Sequence, residues 1–66
     1  MDVVINGERK QVTPGASLLD VLSQLELDPR AVVVEHNRRI VRRPALPDVQ
    51  VNEGDSIELV HFVGGG

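Results

Sequence analysis

The sequence predicts one small α+β domain, a mixed sheet of four or five strands with a single helix across one face. Three observations carry that expectation. An Asn-Gly hairpin signal sits near the start, one apolar stripe recurs at helical spacing, and β-branched runs lie before and after it. The order reads β-β-α-β-(β)-β, and the two terminal strands are expected to pair in parallel at the centre of the sheet. At 66 residues there is room for one domain. A chain of this size buries only about 60% of its unfolded surface, enough for two packed layers but not for a deep substrate cavity.

Met1 to Asn6 reads as the first strand. Val3 and Ile5 share one face, and Asp2, Val4 and Asn6 the other. Asn6-Gly7 then supplies the two positive-φ residues of a type I′ turn. Glu8 to Thr13 returns as the second strand, with Val12 its clearest core residue, and Pro14-Gly15 breaks it. Ser17 to Leu25 is the one helix. Ser17 is placed to cap it, and Asp20, three residues on, is close to a capping box and favourable to the helix dipole. Leu18, Val21, Leu22 and Leu25 form its apolar stripe, while Leu19 falls half outside. Asp28-Pro29 is expected to end it.

Ala31 to Glu35 reads as the third strand, Asn37-Arg38 as a tight connection and Ile40-Val41 as a short fourth strand. Arg42 to Gln50 contains two prolines and little periodicity, so a covering loop or 3₁₀ turn is expected. Glu53-Gly54-Asp55 is a turn, and Ser56 to Val63 is the last strand. The domain is taken as residues 1–63, followed by a glycine tail at 64–66.

Composition removes several function classes. There is no cysteine, hence no disulfide framework, thiolate nucleophile or Cys-based zinc site. Seven Lys and Arg face ten Asp and Glu, for a formal charge of -3, so the overall balance lacks the cationic footprint of a nucleic-acid binder. Phe62, the single aromatic, offers no platform for stacked bases. Apolar runs are too short to span a membrane, and no secretory signal is read at the N-terminus. A soluble, cytoplasmic protein without bound cofactor is the expectation.

Gly64, Gly65 and Gly66 carry the chemistry. A frayed end is the ordinary reading of such a stretch. Here, however, it follows directly on a strong strand, so its base is fixed. A glycine stalk has no Cβ and fits a narrow channel in a partner enzyme. A terminal carboxylate on Gly66, with a pKa of about 3.3–3.7, is ionised at neutral pH and able to attack an activated phosphate. Such a protein needs no pocket, metal or nucleophilic side chain of its own.

Asn6-Gly7-Glu8, Pro14-Gly15-Ala16-Ser17-Leu18, Asn37-Arg38-Arg39-Ile40-Val41, Glu53-Gly54-Asp55 and Val60-His61-Phe62-Val63-Gly64-Gly65-Gly66 together resemble the ThiS family, sulfur carriers of thiamine biosynthesis with the ubiquitin-like β-grasp fold. The resemblance runs from Met1 to Gly66. It implies that a ThiF-type adenylating enzyme joins the Gly66 carboxylate to AMP from ATP. A sulfur donor such as a cysteine desulfurase then supplies the sulfur of a thiocarboxylate, and thiazole synthase takes that sulfur. Gly64 and Gly65 would thread into the partner and Gly66 would bear the sulfur. The protein would be a carrier and co-substrate rather than an enzyme. Two alternatives stay open: a carrier for molybdenum cofactor or another sulfur pathway, and a non-carrier β-grasp interaction module.

Strand alternation places Val60 and Phe62 opposite Ile57 and Leu59, which makes them a docking patch beside the tail or simply a sheet cover. Arg38, Arg39, Arg42 and Arg43 gather four of six arginines, a solvated turn or a patch for an acidic partner. His36 and His61 fall on different strands with no third ligand or carboxylate spaced to help, so neither metal binding nor catalysis is assigned to them. Asp2, Asp20, Asp28, Asp48 and Asp55 read as caps, turns and solubilising groups.

Overall fold

A computed structural model describes residues 1–62. The readings for Val63, Gly64, Gly65 and Gly66 lie outside the described residues. β1 (Asp2–Ile5) and β2 (Glu8–Gln11) form the expected antiparallel hairpin, with Val3 opposite Lys10 and Ile5 opposite Glu8. Asn6 and Gly7 take φ of 51° and 80°, the left-handed pair that a type I′ turn requires. Val12 follows β2 into the core and ties back to the chain start through its N–H to the Met1 carbonyl.

α1 (Leu18–Gln24) begins in a full capping box. The Asp20 N–H donates to Ser17 Oγ at 3.1 Å and the Ser17 N–H to Asp20 Oδ2 at 2.9 Å. Leu18, Val21 and Leu22 are buried; Leu25, at the C-cap, is only partly so. Asp28-Pro29 does not end the helix. It ends earlier, in a Schellman motif: Glu26 takes φ 59°, its N–H reaches the Ser23 carbonyl at 3.0 Å, and the Leu27 N–H reaches that of Leu22 at 2.9 Å. A non-glycine residue in that left-handed position leaves no signal in the sequence. Asp28 instead caps a separate 3₁₀ turn, Pro29–Ala31.

β3 (Val32–His36) and β4 (Arg39–Val41) form a second antiparallel hairpin. Its turn residues, Asn37 and Arg38, take φ of 50° and 72°, a type I′ geometry reached without glycine. A 3₁₀ segment, Arg43–Asp48, then packs against α1 and drives Leu46 into the core. Val49 accepts from the Leu18 N–H and Val51 donates to the Ala16 carbonyl, both at 2.9 Å, which stitches this crossing to the start of α1.

β5 (Ser56–His61) completes the sheet, in the order β2-β1-β5-β3-β4. It pairs in parallel with β1 and antiparallel with β3, so the last strand lies at the centre, as expected. The core lies on one face of the sheet. Val3, Ile5, Val32, Val34, Ile57 and Leu59 meet Leu18, Val21 and Leu22 there, with Leu46 and Val51. This mixed five-stranded sheet under one helix is the β-grasp arrangement.

Candidate functional site: the root of the C-terminal tail

The sequence points to the residues that lead into the glycines, and the structure places that root on the most constrained strand. Ile57 and Leu59 turn inward, 1% and 6% exposed, and alternation turns Val60 and Phe62 outward, 57% and 63% exposed. The β3–β5 register runs to Val32 opposite His61. One further rung follows, from the Phe62 N–H to the Ala31 carbonyl at 2.9 Å. The chain is thus tied to the sheet up to Phe62.

Two asparagines from the two hairpin turns grip the same strand. Asn6 Oδ1 accepts from the Leu59 N–H at 2.7 Å, and Asn6 Nδ2 donates to the Leu59 carbonyl at 3.2 Å. These bonds extend the hold of β1 on β5 beyond the end of β1 at Ile5. Asn37 does the same at the other end of the strand. Its Oδ1 accepts from the Ser56 N–H at 2.9 Å, and its backbone N–H donates to the Ser56 carbonyl at 2.8 Å. Sequence reading gives Asn6 and Asn37 only their turn roles. Their clamp roles depend on strand order, which no local pattern contains.

The face of the sheet away from α1 carries an apolar surface around the root. Val33 lies opposite Val60, and Ile40, 67% exposed, lies on the same face. Glu35 sits between Ile40 on one side and Glu58 on the other. Ile40 thus joins Val60 and Phe62 as exposed apolar surface, a role its sequence position alone did not signal.

His36 does have a carboxylate partner, contrary to the sequence expectation. Its Nε2 lies 2.7 Å from Asp55 Oδ2, and both side chains are largely buried, 16% and 12% exposed. Asp55 also accepts from the Asn52 N–H at 2.8 Å and from Asn37 Nδ2 at 3.2 Å. Burial pushes the Asp55 carboxyl up. The bonds from Asn52, His36 and Asn37, with the charge of His36, outweigh it and hold the group below the usual aspartate range. The turn at Glu53-Gly54, with Gly54 at φ 82°, returns the chain so that this contact forms. It pins the turn to the end of β3 opposite the tail root. His61 is exposed and sits at the other end of the β3–β5 ladder, so the two histidines do not share a site. Among the described residues no three His, Asp or Glu side chains cluster as metal ligands.

The four clustered arginines are all exposed. Arg38 lies in the turn, Arg39 opens β4, and Arg42 and Arg43 lead into the 3₁₀ segment. The ion pairs found among the described residues are Lys10–Glu8, Arg30–Asp28 and His36–Asp55, none of which engages the four. Among the described residues no helix is long and apolar enough to cross a membrane.

Comparison with known proteins agrees with this geometry. Residues 3–66 match the model of the family described as the ThiS family. A stretch of a thiazole synthase from Paramagnetospirillum magneticum is 41% identical over all 66 residues, and the chain spans about a fifth of that relative, 20% of its length. The sulfur carrier protein ThiS of Bacillus subtilis is 38% identical over 50 residues, covering 76% of each chain. The crystal structure of a thiamine biosynthesis protein (ThiS) from Geobacter metallireducens superposes with a TM-score of 0.86 at 30% identity, covering 100% of both chains.

Proposed function

The chain belongs to the ThiS family, and we propose that it is a sulfur carrier for thiazole formation in thiamine biosynthesis, with the sulfur borne on Gly66. The observation that carries this reading is the family match through residue 66, on a strand anchored up to Phe62. A carrier of this kind needs a fixed root and a thin end. β5 supplies the root, and Gly64 and Gly65 supply a stretch without side chains that threads into a partner.

The chemistry proceeds in two displacements. A Gly66 carboxylate oxygen attacks the α-phosphorus of ATP on an adenylating enzyme of the ThiF type, and pyrophosphate leaves. The acyl adenylate is then an electrophile. Hydrosulfide, freed from the persulfide of a donor such as a cysteine desulfurase by a thiol that ends as a disulfide, attacks the acyl carbon and AMP leaves, so a thiocarboxylate results. Thiazole synthase takes that sulfur. The likeness of this chain to part of a thiazole synthase supports that acceptor over other sulfur pathways. The chain acts as carrier and co-substrate, binds no cofactor of its own and works in the cytoplasm, with Val60 and Phe62 as the docking surface next to the threaded tail.

Reconstitution tests the pathway. With the adenylating enzyme, ATP and a sulfur donor present, the chain supports thiazole formation by thiazole synthase. If it supports only the sulfur insertion that builds molybdenum cofactor, the thiamine assignment falls.

A further inference from the structure

The β3–β4 ladder stops short. β3 begins at Val32, yet its pairing with β4 ends at Val34 opposite Val41. Beyond Val41 the chain leaves the sheet through Arg42 and closes into the 3₁₀ segment, where the Ala45 N–H reaches the Arg42 carbonyl at 2.9 Å. The direction of the unpaired groups follows from the neighbouring rung. Ala31 bonds toward β5, through Phe62, and successive residues of a strand alternate. The N–H and carbonyl of Val32 therefore point to the β4 side. Among the described residues no backbone hydrogen bond joins Val32 to β4 or to the 3₁₀ segment.

This open rung lies in a surface hollow. Its walls are Val33, Ile40, Val41 and Leu46, with Arg42 and Arg43 among its lining. No carboxylate lines it. Arg38 and Arg39 continue the positive charge along the same edge, in a chain whose overall charge is -3. Asp28 lies near enough for Arg43 to help lower its pKa, but Arg30 already engages both its carboxylate oxygens, at 3.3 and 3.1 Å. Arg42 and Arg43 thus face solvent at a gap that offers one backbone donor and one backbone acceptor.

We propose that this hollow receives an extended acidic segment of a partner protein, added as a short strand at Val32 and held by Arg42 and Arg43. The chemistry selects a peptide. A strand supplies the N–H and carbonyl that complete the open rung, places a small apolar side chain against Val33 and Ile40, and presents carboxylates to the arginines. A nucleic acid satisfies the arginines but leaves the apolar walls and the backbone rung unmatched. The site opens at the sheet edge; it borders the apolar face around the tail root at Val33 and Ile40 but includes neither Val60 nor Phe62, and it is independent of the sulfur reading.

The test titrates the ¹⁵N-labelled full chain with a blocked peptide of alternating glutamate and valine. Saturable amide shifts are expected at Val32–Val34 and Arg42–Leu46. The double variant R42E/R43E is expected to bind about tenfold or more weakly, with an unchanged melting midpoint, because neither side chain caps the 3₁₀ segment. The same peptide with lysine in place of glutamate is expected not to bind. Absence of saturable shifts at millimolar peptide overturns the proposal. So do shifts centred on Val60 and Phe62, or equal shifts at these residues with a short single-stranded RNA.

Discussion

The backbone N–H of Phe62 donates to the carbonyl of Ala31 at 2.9 Å, one residue past the last strand pair, Val32 with His61. The bond belongs to the main chain, so it survives a change of side chain. Phe62→Asp is therefore expected to leave folding stability within about 0.5 kcal/mol, as at other exposed positions. The same variant removes an aromatic that is 63% exposed from the proposed docking face. It should raise the KM of the adenylating enzyme for this chain roughly tenfold, about 1.4 kcal/mol, with little change in kcat. A melting curve and steady-state kinetics check both parts. An unchanged KM would remove Phe62 from the docking surface.

Asn6 offers a separable test of the clamp on β5. Glycine at position 6 keeps the φ of 51° accessible but deletes the amide that bonds Leu59. Asn6→Gly should cost about 1–3 kcal/mol, the penalty for leaving a partly buried pair of backbone groups without partners. Denaturant unfolding measures it. A loss of only a few tenths would mean that solvent replaces the amide and that the clamp contributes little.

Asp55 gives the fold a dependence on acid. Its carboxyl is held below the usual aspartate range, so the folded state binds the proton less readily than the unfolded one. Its contribution to stability is fully present above the unfolded pKa and is lost as pH falls through the lower native value. Asp55→Asn should therefore destabilise the protein at neutral pH, by about 1–3 kcal/mol. The gap between variant and parent should close as pH drops below about 4. Unfolding curves across that range decide the matter, and a gap independent of pH would contradict the charge-assisted role.

Leu22 and Leu46 are each 1% exposed in the same core, yet one was legible in the sequence and the other was not. Leu22 sits on a helical stripe with Leu18 and Val21, and that period announces it. Leu46 is the single inward residue of a proline-bounded 3₁₀ segment, where no repeat exists to mark it. Truncation of either to alanine should cost about 2–5 kcal/mol in unfolding experiments. A much smaller loss at Leu46 would show that the 3₁₀ crossing is not part of the core.

The same division runs through the rest of the molecule. The Asn6-Gly7 turn, the Ser17 cap and the outward alternation of Val60 and Phe62 were readable, because each depends on residues a few positions apart. The His36–Asp55 pair, the two asparagine clamps and the exposed position of Ile40 were not. Each depends on strand order or on partners 18 to 53 residues away. The Glu26 helix terminus escaped for a different reason, since a left-handed residue that is not glycine carries no compositional mark.

The central claim is that Gly66 carries sulfur, and the mass of the intact chain tests it most directly. After incubation with ATP, a sulfur source and the adenylating enzyme, one oxygen should be replaced by sulfur, and fragmentation should place that change at Gly66. A chain lacking Gly66 should stay unmodified while keeping its fold. An unchanged mass, with an enzyme proven active on its own carrier, would contradict the account.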